Sequence, residues 1–368
     1  MIRSLGLNET ERLVRDSVRS VIADLPDTGA RGADAFRSLA NIGILAAPLS
    51  EELGGMGEGL GAATPVLEAL GQRALVTPLV EALCVPAAIA ETAPAFAPLH
   101  NALAQAAQAS PGTVLAWTEP DRGWARTPAR MTARSDRTGW VLDGKKSLVR
   151  WGGFAEAFIV SAATGKDTGL YWVPKESPGL DLFTYSSADD RSLVDLELRE
   201  VRLPNECRIG DGDAIASIDY ALDAGTALSL AEAVGLMDHA LEMTIDYMKM
   251  REQFGTPLSR MQALQHRLVE MYANTECAWS LVHDAACSLS RETPTLQRQT
   301  AVSRAKAYVG RMGRLLGQEA LQLHGAIGMT SEYPLGRYLQ RLTAIDLDYG
   351  DSDWHLGRLA GILQGGQG

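Results

Sequence analysis

The sequence has little of what metal, redox and membrane proteins are built from. Its 368 residues include four cysteines, Cys84, Cys207, Cys277 and Cys287, too far apart for any metal-binding or disulfide-exchange spacing. They read as reduced, half-buried thiols of a cytoplasmic protein. The six histidines form no ligand-like pair, so no metal is expected. No apolar run is long enough to span a bilayer, and Met1-Ile-Arg-Ser4 lacks signal-peptide architecture. Positive charge is in deficit: 34 Lys and Arg against 45 Asp and Glu leave a net −11, which argues against a broad nucleic-acid surface. Internal repeats and low-complexity segments are absent too. What is present is the composition of an ordinary globular protein, with enough chain for roughly two or three domains at ~150 residues each.

The first third reads helical. Asn8-Glu-Thr-Glu11 opens a helix with Leu13, Val18 and Val21 among its apolar positions. Phe36, Leu39, Ile42 and Leu45 indicate another, ending near Gly43 to Pro48. The glycine-rich run from Ser50 to Gly61 lacks the G-x-G-x-x-G spacing and follows a helix rather than a strand, so it reads as a loop and not as a dinucleotide fingerprint. Helical pattern resumes from Thr64 to about Ala107, broken by Pro78 and Pro86.

Around Pro111 the period changes from about 3.6 to 2. Val114–Thr118, Met131–Ser135, Trp140–Leu142, Ser147–Trp151, Ala157–Ala162, Leu170–Val173, Leu182–Ser186 and Leu193–Leu203 follow as strands. Asp136-Arg-Thr-Gly139 and Asp143-Gly144 are the turn signals between them. So many short strands in about a hundred residues predict a compact β-barrel or sandwich. From about Ala214 the chain is helical to the end. One helix carries Ala305, Val309, Met312, Leu316, Ala320 and Leu323 and stops at Gly325-Ala326-Ile327-Gly328. Ser331-Glu-Tyr-Pro334 starts another. Gly350-Asp351-Ser352-Asp353 caps the last, which bears Leu356, Leu359 and Leu363, and the Gly365–Gly368 tail reads as frayed.

One stretch organises the helical third: Tyr247-Met-Lys-Met-Arg251-Glu-Gln253-Phe254-Gly255-Thr-Pro257-Leu258. Leu230, Val234, Met237, Leu241, Ile245 and Met248 precede it in steps of three and four, marking one buried helix face. Gly255 and Pro257 stop that helix. A second begins at once, with Met261, Leu264, Leu268 and Met271 as its core stripe. The turn therefore projects Arg251, Gln253 and Phe254 from the junction of two long antiparallel helices. A permanently charged guanidinium has a fork suited to a diphosphate. Phe254 offers an aromatic face and Gln262 a donor–acceptor edge for an adenine. The plainer alternative is a surface turn with a solvated arginine.

This turn resembles the arginine-glutamine-phenylalanine-glycine turn of the FAD-dependent acyl-CoA dehydrogenases, and the resemblance covers nearly the whole chain. Gln322-Leu-His-Gly325-Ala326-Ile-Gly328 is similar to that family's glutamine-glycine-glycine segment, with Ala326 in place of the second glycine. Ser50-Glu51-Glu52-Leu53-Gly54-Gly55 looks like its N-terminal Glu-x-Gly-Gly loop. The resemblance implies an α+β protein with an N-terminal helical domain (1–110), a middle β-barrel domain (111–210) and a C-terminal four-helix-bundle domain (211–368). It also implies FAD as cofactor and an acyl-CoA thioester as substrate. In the family the turn reaches across a dimer interface and holds the ADP half of the neighbour's flavin. Carried over, Arg251, Gln253, Phe254, Gln262, Gln322 and Gly325 would be the cofactor-binding residues.

The family's chemistry needs a carboxylate, its pKa raised by burial, to take the α-proton of the thioester. In the commonest pattern a glutamate stands directly before the glycine preceding the last helix; here that glycine is Gly350 and the residue before it is Tyr349. A phenol, with an ordinary pKa of about 10, is a poor base at neutral pH. The other family position, early in the helix leading to the arginine turn, falls at about Gly225. Asp223, Asp346, Asp348, Asp351 and Asp353 are the nearby acids, each also readable as a helix cap or a solvated carboxylate. Asp351 and Asp353 occupy positions that usually carry neutral residues facing the cofactor of the same subunit. In the barrel, Thr118-Glu119-Pro120 matches the strand end that touches the flavin ring. The glycine-alanine-glycine-serine loop after it is replaced by Asp121-Arg122-Gly123-Trp124. The tryptophan and threonine that usually cover the ring and bond N5 are Leu148 and Arg150, and a buried unpaired guanidinium there would be expensive.

The parts that grip a neighbour's cofactor are kept, and the parts that serve the chain's own flavin and thioester are lost. That pattern is similar to the small, non-catalytic subunit of heteromeric α2β2 bacterial acyl-CoA dehydrogenases, whose acyl groups include steroid side chains and dicarboxylic acids. The catalytic residue is left unassigned, a catalytic acyl-CoA dehydrogenase subunit is the expected partner, and electron-transferring flavoprotein is the acceptor that the resemblance implies. Two alternatives stand beside this: a homotetrameric FAD enzyme with an unusual base such as Asp348, and a flavin-free scaffold. Neither a nucleic acid nor a membrane is expected as a partner.

Overall fold

The computed structural model describes residues 9–25, 31–93, 96–128, 130–330 and 332–365. Met1–Ser4, Asn8, Ser331 and the end of the tail, 366–368, lie outside them. Five helices come first: α1 (Glu9–Ala23), α2 (Arg31–Asn41), α3 (Thr64–Gln72), α4 (Val85–Thr92) and α5 (Ala97–Ala106). Eight strands follow: β1 (Thr113–Ala116), β2 (Thr132–Ser135), β3 (Gly139–Arg150), β4 (Ala157–Thr164), β5 (Asp167–Pro174), β6 (Leu180–Ser186), β7 (Ser192–Pro204) and β8 (Arg208–Ile209). Then come α6 (Ile215–Met250), the short pair β9 (Glu252–Gln253) and β10 (Thr256–Pro257), α7 (Gln262–Cys287), α8 (Thr295–His324), α9 (Leu335–Asp346) and α10 (Ser352–Gly365). The described residues group into two compact units, one drawn from the ranges Phe36–Leu60 and Thr77–Gly225, the other from 9–35, Gly61–Val76 and 226–365.

The first unit holds a mixed sheet ordered β6-β7-β3-β2-β4-β5-β8, with β1 parallel to β4. Its apolar core gathers Val114, Leu142, Phe158, Tyr171, Val194 and Val201 among others. The β2–β3 turn forms as its sequence requires: the Asp136 carboxylate accepts from the amides of Thr138 (2.8 Å) and Gly139 (3.1 Å). Asp143-Gly144, expected to be a second turn, is instead a bulge within one twelve-residue strand. Gly144 has φ +138° there, and a Cβ would come within 2.9 Å of the Met131 backbone. A bulge and a turn call on the same glycine, which is why the two expected strands Trp140–Leu142 and Ser147–Trp151 are one.

In the second unit the stripe of α6 is buried as expected at Leu230, Val234, Met237, Leu241 and Met248. α3 crosses α6 with glycine against backbone: a Cβ on Gly71 would lie 2.1 Å from the Glu232 carbonyl oxygen, and one on Gly235 2.1 Å from that of Glu68. α8 packs against α7, α9 and α10. Several expected core positions turn outward. Leu13 on α1 and Leu356 and Leu363 on α10 are exposed. In the α7 stripe only Met271 is buried, while Met261, Leu264 and Leu268 are half-covered. In the sheet unit, Ile42 is exposed, and the helical pattern is interrupted at Pro86 as expected: a π-helical turn (Val80–Cys84) ends just before it and α4 begins with it in the first turn, where a missing N–H costs nothing. No helix of the described residues is long and apolar enough to cross a membrane.

Candidate functional site

The arginine turn is a two-residue hairpin set on the end of α6. The Arg251 amide donates to the Tyr247 carbonyl (2.8 Å), and the Leu258 amide returns to the Arg251 carbonyl (2.8 Å). Gln253 pairs with Thr256 and Glu252 with Pro257. Phe254 and Gly255 at the tip have φ of +55° and +76°, the left-handed pair that such a hairpin requires. An aromatic residue is strained in that conformation by about 1 kcal/mol or more, and its side chain is 93 % exposed. Arg251, Gln253 and Gln262 are exposed as well. Gln253 donates only to its neighbour's carbonyl, and the Arg251 guanidinium has no hydrogen bond or ion pair among the described residues. A charged fork is thus held up to its surroundings with its donors unspent.

The second segment lies beside the first. α8 ends at His324, and Gly325 follows at φ +66°. Gln322, Gly325 and Ala326 are exposed, while His324 between them is 3 % exposed. Its ring stacks on Tyr247 at 4.5 Å between centroids and 21° between planes, so the helix end that carries Arg251 touches the helix end that carries Gln322. Exposed apolar side chains flank both: Met250 (75 %), Ile327 (44 %) and Met329 (76 %).

The residues that the resemblance matches to the flavin ring have partners within the protein. Thr118 bonds its hydroxyl to the Ser147 carbonyl. Glu119 is buried and receives the amides of Arg130 (2.9 Å) and Met131 (3.1 Å) and the Lys146 ammonium (3.2 Å). Trp124 leans on Trp117, 6.5 Å between ring centroids. Leu148 is 41 % exposed, at φ +54°, with its amide on the Asp195 carboxylate (2.9 Å). Arg150 is buried and has a partner, and it lies close enough to Tyr185 to oppose the rise of that phenol, which burial and Asp195 push up to about 12.

Each of the five acids has a partner among the described residues. Asp223, wholly buried, accepts from Arg126 (3.0 Å), which also holds Asp219 (2.9 Å). Asp346 accepts from Ser352 (2.6 Å), and Asp348 lies 4.0 Å from Arg341. These three are therefore buried and paired, neither caps nor solvated groups. Asp351 is the expected helix cap, accepting the Trp354 amide (2.7 Å). Asp353 is a surface carboxylate paired with Arg311 (3.1 Å). Tyr349 is 3 % exposed at φ +59°. The bidentate Arg341–Glu232 pair (2.6 Å for each bond) and the His324 stack escaped the sequence reading. The histidine left one signal, its place between Gln322 and Gly325; the ion pair left none.

Known proteins resemble this chain over most of its length. The family model for the acyl-CoA dehydrogenase C-terminal domain matches residues 213–363. The chain is similar to the probable acyl-CoA dehydrogenase YngJ of Bacillus subtilis (strain 168), 27% identical over 358 residues and 93% of each chain. A variant of the Tcur3481-Tcur3483 steroid ACAD superposes with a TM-score of 0.87 at 27% identity, over 98% of this chain and 99% of that one. The ChsE4-ChsE5 complex from Mycobacterium tuberculosis gives 0.88 at 22% identity over 98% of each chain, a likeness of fold.

Proposed function

This chain belongs to the acyl-CoA dehydrogenase family, and from that premise we propose that it is the non-catalytic subunit of a heteromeric, FAD-dependent acyl-CoA dehydrogenase, supplying the ADP-binding half of a partner's flavin site. One observation carries the reading. Arg251, Gln253, Phe254, Gln262, Gln322 and Gly325 are all exposed on the helical unit, with the arginine unengaged among the described residues. Every acid near the expected base positions is paired or caps a helix.

FAD, the cofactor of this family, supplies the hydride acceptor of α,β-desaturation when bound. The clamp fits its diphosphate end: a guanidinium fork matches two phosphate oxygens, Phe254 covers an apolar face, and the amides of Gln262 and Gln322 give and accept hydrogen bonds at an adenine edge. The chain's own ring position does not fit. A buried arginine stands where N5 would be bonded, and Tyr349 stands where a carboxylate is needed. Asp351 and Asp353 place negative charge where a same-chain diphosphate would meet it, which repels. The partner therefore brings ring site and base. Two of the structures that this chain resembles, Tcur3481-Tcur3483 and ChsE4-ChsE5, are two-component by name, which supports the pairing. The likeness to a steroid ACAD favours a bulky acyl group.

The test is Arg251→Ala in the assembly co-purified with its FAD-bearing partner. Loss of one desolvated charge-assisted contact to a phosphate weakens flavin retention by about tenfold or more, with the partner's base intact. Unchanged retention and activity would leave the chain a scaffold.

A further inference from the structure

We propose that His324 is a positioning residue that joins the two arms of the nucleotide clamp into one piece, by stacking on Tyr247 and hydrogen-bonding Tyr333. This rests on the reading above, that Arg251 and Gln322 face a partner's FAD.

The clamp is made of two chain segments with no covalent reason to keep their spacing. One is the end of α6 with its hairpin, the other the end of α8 with Gly325. A hairpin tip in a left-handed conformation and a glycine at φ +66° set direction locally, but neither fixes one segment against the other. His324 does. Its imidazole is 3 % exposed and lies against Tyr247 (4.5 Å, 21°) and Tyr333 (5.0 Å, 49°). Tyr247 is the residue whose carbonyl receives the Arg251 amide at 2.8 Å. The stack therefore bears on the turn of helix directly beneath the arginine, while the chain around His324 carries Gln322 and Gly325.

The hydrogen bonds orient the ring. Nδ1 lies 2.8 Å from the Ala320 carbonyl, which can only accept, so Nδ1 carries the hydrogen in the neutral ring. Nε2 is then the acceptor, 3.0 Å from the Tyr333 hydroxyl, which donates. A neutral imidazole with one donor and one acceptor nitrogen satisfies Ala320 and Tyr333 together, and the Met243 carbonyl, which can only accept, also faces the ring. Burial, the larger effect, lowers the histidine's pKa, against the Ala320 and Met243 carbonyls that raise it. Besides these carbonyls, the groups that face the ring are the phenols of Tyr247 and Tyr333, with Asp246 acting on the latter. Burial thus favours the neutral ring. Nothing in this arrangement touches the cofactor; it acts through the placement of Arg251 and Gln322.

The experiment uses the co-purified assembly and follows flavin loss by absorbance after gel filtration, for wild type, Arg251→Ala, His324→Ala, His324→Phe and Tyr333→Phe. Losing a stack and a buried hydrogen bond together speeds flavin release by about tenfold in His324→Ala. His324→Phe keeps the stack and restores part of the retention, and Tyr333→Phe gives a smaller loss. Such rescue by an aromatic ring separates positioning from general damage to the fold, and where His324→Ala does not fold, the two phenylalanine variants decide. Wild-type retention in all the His324 and Tyr333 variants, with Arg251→Ala leaking flavin, overturns the positioning role and leaves the clamp standing. Wild-type retention in Arg251→Ala too overturns the clamp, and this inference with it.

Discussion

Cys84 has no exposed surface, whereas Cys277 and Cys287 are open to solvent and Cys207 lies between. Burial, and then the nearby carboxylates of Glu81 and Glu91, push the Cys84 thiol far above its ordinary 9.0. The folded value stands above the unfolded one, so what this group contributes to stability is full below pH 9 and is lost as pH climbs past it. A thiol reagent at pH 8 should label Cys277 and Cys287 of the isolated chain at once and leave Cys84 untouched until denaturant unfolds it; rapid labelling of all four would contradict the packing around Val80–Cys84. A sequence that spaces four cysteines widely says they are reduced but cannot say which are inside. The same limit applies to charge. Lys146 is fully buried on Glu119, Ser161 and the Trp117 carbonyl, and Arg126 meets Asp223 across 97 residues of chain. Pairs of that separation leave no local pattern. Arg251 did, because a turn flanked by glycine and proline at the end of a periodic helix is visible in a dozen residues.

Between elements, the crossing of α3 and α6 is one of the tightest contacts. Gly71 and Gly235 each let the opposite backbone approach to a distance that a Cβ would violate at 2.1 Å, and the atom met is a carbonyl oxygen that cannot swing aside. Gly235→Ala must push the helices apart, at a cost of about 1–3 kcal/mol or more, read as a lower denaturation midpoint with an unchanged slope. An alanine tolerated there without loss would mean that the crossing is looser than drawn. Nothing in the sequence marks these two glycines, since a helix-interior glycine lowers propensity and reveals its purpose only with its neighbour in place. Periodicity served better. The buried face of α6 and most of the strands came from it, and it failed at Asp143-Gly144, where a bulge borrows the chemistry of a turn. It also overstated the apolar stripes of α7 and α10, several of whose leucines stay partly or wholly in solvent.

For the molecule as a whole, the question is which chain owns the flavin. Among its described residues the helical unit shows an unengaged arginine, a strained and exposed phenylalanine, and Met250, Ile327 and Met329 uncovered around them. Exposed apolar side chains around a charged fork suit a surface that a partner covers. The positions that the resemblance matches to the ring and the base hold Arg150 and Tyr349 in place of the family's threonine and glutamate. Counting FAD per chain, in the chain purified alone and in the assembly with its partner, tests this division of labour most directly. The account predicts no tightly held flavin in the chain alone and about one flavin for every two chains in the assembly, since a site needs both components to bind. A full complement of one flavin per chain in the chain purified by itself, with dehydrogenase activity, would contradict it.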